Sequence, residues 1–299
     1  MNAGLAGVIG GRVIAVGKNE MRNVILFGDS RETLSEFDEK ARMCVTSPPY
    51  YGLRDYGGEE KQVGLEETPE KYIENLVEVF SKVRDCLTDD GTLWLNIGDT
   101  YTGTGHKGDW ADPKYKEGRT AQSVALNNKI EGLKSKDLIG IPWMLAFALR
   151  ADGWYLRQDI IWHKPNVMPE PVKDRCTKAH EYIFLLSKNK KYYYNHEAIK
   201  EKAVQMLFET RNKRSVWSVN TKPYQGAHFA VFPTELIEPC IKAGSEEGDI
   251  VLDPFMGSGT TAMVANSLGR DYIGCELNKD YEDLILKRIG NVQQKLLYI

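Results

Sequence analysis

The sequence predicts a doubly wound α/β fold built on a mostly parallel sheet. Three observations carry this. Short apolar runs of strand length alternate with longer segments of helical spacing. Three of the runs end in Gly-Asp or Asp, at Gly28-Asp29, Gly98-Asp99 and Asp253. A Gly-rich turn at 257–259 stands between a strand and a helix. Strands linked through helices lie parallel, and such sheets gather ligands at the carboxyl edge of their strands.

The elements follow in order. Residues 1–21 read as an extension with little role in the core. Val24–Phe27 is a short apolar strand. Met43–Thr46 is a second, stopped by Pro48-Pro49, which have no N–H to donate to a ladder. Pro69–Leu87 places Tyr72, Ile73, Leu76, Val79, Phe80 and Val83 at helical spacing. Thr92–Ile97 is a buried strand. Residues 101–136, rich in Gly, Lys, Asn and Thr, read as a long mobile loop. Ile139–Arg150 is a helix with Pro142 near its first turn. Trp154–Trp162 and Tyr182–Leu186 are strands. Residues 188–225 are basic and aromatic with weak periodicity. Pro233–Ala243 is a helix, Ile250–Asp253 a strand, Ser258–Leu268 a helix and Asp271–Cys275 a strand. A last helix runs from Lys279 to near the end. The strands number seven.

Composition narrows the class. The chain has 299 residues, 42% hydrophobic and 27% charged, which excludes collagen-like, disulfide-scaffold and mostly disordered readings. A net charge of −3 provides no global pull toward a polyanion. The charge is uneven, however. Residues 101–230 hold 22 basic and 13 acidic residues, a net of +9, leaving 17 against 29 elsewhere, a net of −12. That split suggests a basic working surface set in an acidic scaffold. The five cysteines are odd in number, far apart and without a CxxC pair, so neither a disulfide framework nor a metal site is expected. No apolar run approaches the ~20 residues that span a bilayer. The opening segment lacks a basic region and is broken by Arg12. A cytoplasmic location is expected.

Two constellations carry chemistry. In the first, an apolar strand runs into Asp253, then a turn with Gly257 and Gly259, then a helix. Glycines there let a ligand approach the backbone closely at a helix N-terminus. No GK[ST] follows and the dinucleotide GxGxxG is absent. The next strand ends in Glu276, where a carboxylate can accept hydrogen bonds from ribose hydroxyls. Together these point to a nucleoside cofactor. In the second, a strand ends at Thr46 and runs into Ser47-Pro48-Pro49-Tyr50. Two prolines stiffen the backbone and leave its carbonyls open, Ser47 adds an acceptor, and Tyr50 adds a flat face. Such a site can hold an exocyclic amino group by both hydrogens and stack on its base. A plain strand-ending turn is the alternative reading.

TSPPY at 46–50 and DPFMGSGTT at 253–261 resemble the signature motifs of the amino-methylating DNA methyltransferases that use S-adenosyl-L-methionine. The catalytic motif comes first, which resembles the beta, circularly permuted order of that family. GTLWLNIGD at 91–99, GWYLRQDIIWHKPN at 153–166, HEYIFLLSK at 180–188 and HFAVFP at 228–233 resemble further family segments, so the likeness covers nearly everything from Arg22 onward. It implies a class I methyltransferase-like fold with a catalytic part over 22–187, an inserted target-recognition region over 188–225 and a cofactor-binding part over 226–299. It also implies a cofactor site of Asp29, Thr46, His228, Phe229, Phe232, Pro233, Asp253, Pro254, Phe255, Gly257, Ser258, Gly259, Thr260, Thr261, Glu276 and Asn278. Ser47, Pro48, Pro49 and Tyr50 are its implied catalytic residues.

The implied reaction is direct transfer from the sulfonium methyl to an amino nitrogen, with the base flipped out of duplex DNA. Family members with Ser at the position of Ser47 mostly methylate cytosine N4, and those with Asp mostly adenine N6. Cytosine N4 is therefore expected, with adenine N6 as the alternative. Cytosine-C5 methylation would need a thiolate, and Cys240 lies within an apolar-periodic helix as a small hydrophobe. Lys188, Lys190, Lys191, Arg211, Lys213, Arg214 and Lys222, interleaved with Tyr192–Tyr194 and Trp217, are the candidate DNA contacts. The stretch around Tyr192–Asn195 can also be read as an edge strand and turn. Duplex DNA is the expected partner, and a cognate restriction endonuclease is left open. An RNA or protein-amide methyltransferase and a non-catalytic DNA-binding subunit are the rival readings.

Overall fold

The computed structural model describes residues 5–9, 12–16, 21–53, 61–102, 130–203, 209–222, 232–290 and 295–298. Its strands are β1 (Leu5–Ile9), β2 (Arg12–Val16), β3 (Val24–Phe27), β4 (Ala41–Thr46), β5 (Leu87–Ile97), β6 (Tyr155–His163) and β7 (His180–Ser187). Then come β8 (Glu201–Lys202), β9 (Thr210–Arg211), β10 (Val216–Ser218), β11 (Ile250–Asp253), β12 (Asp271–Glu276) and β13 (Lys295–Tyr298). The helices are α1 (Ser30–Thr33), α2 (Pro69–Cys86), α3 (Ile141–Ala151), α4 (Thr234–Gly244), α5 (Thr260–Ser267) and α6 (Glu282–Ile289).

One sheet runs in the order β10-β6-β7-β5-β4-β11-β12-β3-β13-β1-β2. Its centre, β6 to β3, is the set of seven strands expected from the sequence. All central pairings are parallel except those of β7, which is antiparallel to both β5 and β6. Alternation along the strands divides the core. Val24, Leu26, Cys44, Leu93, Leu95 and Leu252 face α2 and α3. Ile25, Phe27, Met43, Val45, Trp94 and Val251 face α4, α5 and α6. Strands buried on both faces read as continuous apolar runs, which is how β3, β4 and β11 look in the sequence.

Three elements differ from expectation. The 1–21 segment holds β1 and β2, an antiparallel hairpin that pairs with β13 and extends the sheet beside β3, and Met21 is fully buried in the core. Both strands are apolar in sequence, LAGVI and RVIAV, but the Gly-rich break around Arg12 makes them read as an extension, and only their pairing at the sheet edge shows them as strands. The last helix stops at Ile289 because Gly290 takes a left-handed φ of 79°, and a strand follows. β5 begins at Leu87 rather than Thr92, and its added residues bulge against β4, where Ala41 pairs with Leu87 and Met43 with Thr92. Of the loop at 101–136, residues 103–129 lie outside the described residues. Its ends are brought together, Thr102 N donating to Asp137 O at 2.9 Å. No helix among the described residues is long and apolar enough to cross a membrane.

Candidate active site

Parallel strands end on one edge, so β3, β4, β5, β11 and β12 deliver Asp29, Ser47, Asp99, Asp253 and Glu276 to the same side. These residues line one cavity of about 590 Å³, a size suited to a small organic ligand. β7 runs the other way and brings its start, His180 and Glu181, to that edge, beside Lys164 at the end of β6.

Asp253 is the hub of the Gly-rich turn. Thr46 Oγ1 and Thr261 Oγ1 each donate to its carboxylate at 2.6 Å, and Phe255 N donates at 3.0 Å. The bonds clip β4, the turn and α5 together. Burial pushes the Asp253 carboxyl up to about 6 despite these donors. Thr46 and Thr261 were expected to touch cofactor, but their hydroxyls are spent on Asp253, and neither lines the cavity. Gly259, at φ 80°, starts α5 with its Cα packed toward Ile285, and Pro233 is buried at the start of α4; neither lines the cavity either.

The remaining described members of the expected cofactor set do line it. Glu276 accepts from Gly257 N at 2.7 Å and from Asn278 N at 2.8 Å. Burial pushes its carboxyl up to about 7, and the two backbone donors oppose that. Gly257 can present its N–H because it adopts a φ of 55°. Asp29 caps α1 and pairs with Arg31, whose Nη2 donates at 2.6 Å. Burial disfavours its charge, but the Arg31 guanidinium outweighs that and holds the carboxyl below its usual range. Pro254, Phe255, Ser258, Thr260, Asn278 and Phe232 complete this half. The Thr260 hydroxyl is buried with no hydrogen-bond partner among the described residues, a polar atom suited to a ligand in the cavity. His228 and Phe229 lie outside the described residues.

Ser47, Pro48, Pro49 and Tyr50 line the other half. Tyr72 donates its hydroxyl to the Pro49 carbonyl at 2.9 Å, so that carbonyl is already engaged. The Tyr50 hydroxyl donates to Glu181 Oε2 at 2.7 Å and lies 3.3 Å from Asn96 Oδ1. Lys164 forms an ion pair with the same Glu181 carboxylate and sits 4.1 Å from the centre of the Trp162 ring. Asp99 Oδ1 accepts from Gly140 N at 3.0 Å and Ile141 N at 3.1 Å, capping α3. Asn96, Lys164 and Glu181 were missed as site residues. A signal existed for Asn96 and Lys164, polar residues at the carboxyl ends of buried strands, where the doubly wound rule places ligands, whereas Glu181 stands at the amino end of β7 and reaches that edge only because β7 is antiparallel.

The candidate DNA contacts divide. Lys188 follows the end of β7, at the opposite edge of the sheet from the cavity. It donates to Leu87 O at 2.8 Å, and Lys190 and Lys191 follow it there. Along the strand this is about 23 Å from Glu181. The antiparallel direction of β7 is the reason, and sequence alone does not show it. Tyr193 and Tyr194 pack nearby, the latter stacked on Trp94 at 6.2 Å, and Trp217 is buried. Arg211 pairs with Glu201 on β8. Lys213 lies over Trp217, and Arg214 is exposed. Lys222 lines the cavity and pairs with Glu235. Cys240 is buried in α4 and its thiol is pushed well up by burial, in keeping with a small hydrophobe.

Comparison with known proteins agrees with this geometry. The chain is 54% identical over 266 residues to the type II methyltransferase M.SmaI of Serratia marcescens, covering 89% of this chain and 90% of that protein. Its fold matches the PvuII DNA methyltransferase (cytosine-N4-specific) with a TM-score of 0.65 at 22% identity, covering 90% of this chain and 88% of that one. It also matches a proposed DNA modification methylase from Thermus thermophilus, solved in complex with S-adenosyl-L-methionine, with a TM-score of 0.62 at 25% identity. The coverage there is 93% of this chain and 98% of that one. The N6/N4 methyltransferase family model, described as DNA methylase, matches residues 41–287, and the chain belongs to that family.

Proposed function

We propose that the protein methylates the exocyclic N4 of a flipped cytosine in duplex DNA, using S-adenosyl-L-methionine. The observation that carries the reading is that one cavity holds both the Ser47–Tyr50 segment and the Gly257–Glu276 site. Glu276 accepts the ribose hydroxyls, and Gly257 gives the ligand room beside the turn. Thr260 and Ser258 face the amino-acid end, where the unpartnered Thr260 hydroxyl gains an acceptor. Asp29 contributes at the adenosine end. The bound cofactor supplies an electrophilic methyl group.

Ser47 Oγ and the Pro48 carbonyl accept the two amino hydrogens, since the Pro49 carbonyl already serves Tyr72. Tyr50 supplies the stacking face. Fixing both hydrogens aligns the nitrogen lone pair for in-line transfer, so positioning supplies most of the rate. The neutral Ser47 in place of a carboxylate favours cytosine N4 over adenine N6. Lys222, which lines the cavity, is the cation suited to the DNA backbone there. A type II modification role, protecting sites from a cognate endonuclease, follows from the same reading. Duplex DNA incubated with the protein and labelled cofactor, digested to nucleosides and analysed by mass spectrometry, should yield N4-methylcytosine. N6-methyladenine would overturn the base assignment, and transfer to RNA alone would overturn the DNA substrate.

A further inference from the structure

The cavity is lined by Lys61, Lys164, Lys178 and Lys222. Three of these are closely paired. Lys61 Nζ donates to Glu32 Oε1 at 2.9 Å, and Lys164 and Lys222 form short ion pairs with Glu181 and Glu235. Lys178 differs. Its ion-pair partner among the described residues is Asp99, whose Oδ2 stands 4.0 Å away, beyond hydrogen-bond reach. Asp99 is not free to turn toward it. Its Oδ1 is fixed by three backbone donors, Thr100 N at 3.0 Å, Gly140 N at 3.0 Å and Ile141 N at 3.1 Å. The Lys178 side chain is only 19% exposed, so little water reaches the ammonium. Burial lowers its pKa, and the nearby Asp99 and Glu181 carboxylates do not make up the difference. A shielded cation in this state gains from any acceptor that enters the cavity.

The topology says which ligand that is. Lys178 stands two residues before β7, and its partner Asp99 follows β5. The sheet order from there is β7-β5-β4-β11-β12. At about 4.8 Å between strands, the start of β7 is about 10 Å from the end of β4 and about 19 Å from that of β12. Ser47 follows β4, while Glu276 ends β12. Lys178 therefore belongs to the target half of the cavity and not to the cofactor half. It is also deep, in contrast to Lys222, whose side chain is 61% exposed. A flipped nucleotide enters base first, so a deep cation meets the base and an exposed one meets phosphate.

We propose that Lys178 is a specificity-determining residue that donates to the O2 carbonyl of the flipped cytosine while Ser47 and the Pro48 carbonyl hold its amino group. The proposal rests on the cytosine-N4 reading. Cytosine carries its amino group and its carbonyl at opposite ends of one edge, so a base anchored at β4 by the first can present the second toward β7. Adenine has no carbonyl to offer, and with it in the cavity the ammonium stays without an acceptor. Discrimination then comes from a polar group of the protein that only one base satisfies.

The test sets wild type and K178M, both as full chains, against two duplexes. One carries cytosine at the methylated position. The other carries a C-linked 2-aminopyridine nucleoside there, which keeps the amino group and the ring nitrogen but lacks the carbonyl. Assays run above neutral pH, where that ring nitrogen holds no proton. Wild type should lose at least on the order of tenfold in kcat/KM on the analogue, because Lys178 is left without its acceptor. K178M should lose a similar factor on cytosine, yet match wild type on the analogue within about threefold, since one interaction is removed only once. The Kd for S-adenosyl-L-methionine should stay within about threefold in K178M. Wild type that uses the analogue as well as cytosine would overturn the proposal. So would an equal loss by K178M on both duplexes, which is the result for a phosphate contact or a purely structural pair with Asp99, or a loss confined to cofactor binding. If K178M fails to fold, the two duplexes compared with wild type alone decide. Wild type that transfers no methyl to the cytosine duplex, or that yields N6-methyladenine, would instead refute the underlying reading.

Discussion

Replacing Gly98 by Ala tests the placement of Tyr50 without removing a polar group. Gly98 follows β5, and a Cβ built there would stand 2.6 Å from Tyr50 Cε2 and 3.1 Å from Cδ2. Ordinary contact between carbon atoms begins at about 3.5 Å, so the ring must retreat by about 1 Å. The retreat is opposed because the Tyr50 hydroxyl is held 2.7 Å from Glu181. Either that bond lengthens past useful range, at about 1.5–3 kcal/mol for a bond to a charged group, or the ring tilts out of place. A misplacement of about 1 Å at a reacting centre costs on the order of 100-fold in rate, or about 2.7 kcal/mol. The Gly98→Ala protein should therefore bind S-adenosyl-L-methionine normally while its single-turnover methylation of duplex DNA falls by about 10- to 100-fold. Calorimetric cofactor affinity and quenched-flow transfer of labelled methyl measure the two quantities. A turnover within about twofold of wild type would show that Tyr50 tolerates displacement, and the stacking role given to it would fail.

Burial holds the Glu276 carboxyl at about 7, so it takes up a proton as pH falls below 7, and the ribose recognition proposed for it should weaken. Cofactor affinity should drop toward about pH 6, and Glu276→Gln should flatten that dependence; an equal slope in both proteins would contradict the assignment. The folded state also holds this proton more tightly than the unfolded chain, so Glu276 favours stability below its unfolded value near 4.5 and loses that contribution as pH rises through about 7. Alanine at Lys190 and Lys191, at the far edge of the sheet, should leave the KM for DNA unchanged, whereas Lys222→Ala should raise it several-fold and lessen its salt dependence by about one unit of slope; steady-state kinetics across a salt series distinguishes them. Cys240→Ala should lose about 1 kcal/mol of stability or somewhat more through a small cavity, yet keep its kcat, since no thiolate takes part; abolished transfer in a folded variant would bring back covalent chemistry.

Particular elements show where sequence reasoning succeeds. The strand ending at Asp253 and the turn through Gly259 were legible because buried parallel strands are uninterrupted apolar runs and left-handed turns select glycine. The Ser47–Tyr50 segment was legible because two prolines cannot continue a ladder. Asp253 shows a partial success. Its place at the strand end was visible, but its partners Thr46 and Thr261, 207 and 8 residues away, which also make it the clip of the turn while it lines the cavity, were not. The start of β5 was hidden because Asp89-Asp90-Gly91 reads as a turn, while in the fold Gly91 fits where a side chain would meet the backbone of Thr88 and Arg42.

The sequence by itself determined the alternation of strands and helices, the two faces of the sheet, and the two motifs that point to a cofactor and a target, because these depend on local periodicity and on the backbone limits of Gly and Pro. Only the tertiary structure decided which charges share a space. The +9 middle of the chain reads as one basic surface. The antiparallel course of β7 splits it, sending Lys188 to one edge of the sheet and Glu181 to the other. Strand direction is set by how the whole sheet pairs its backbone, and no local pattern of side chains records it.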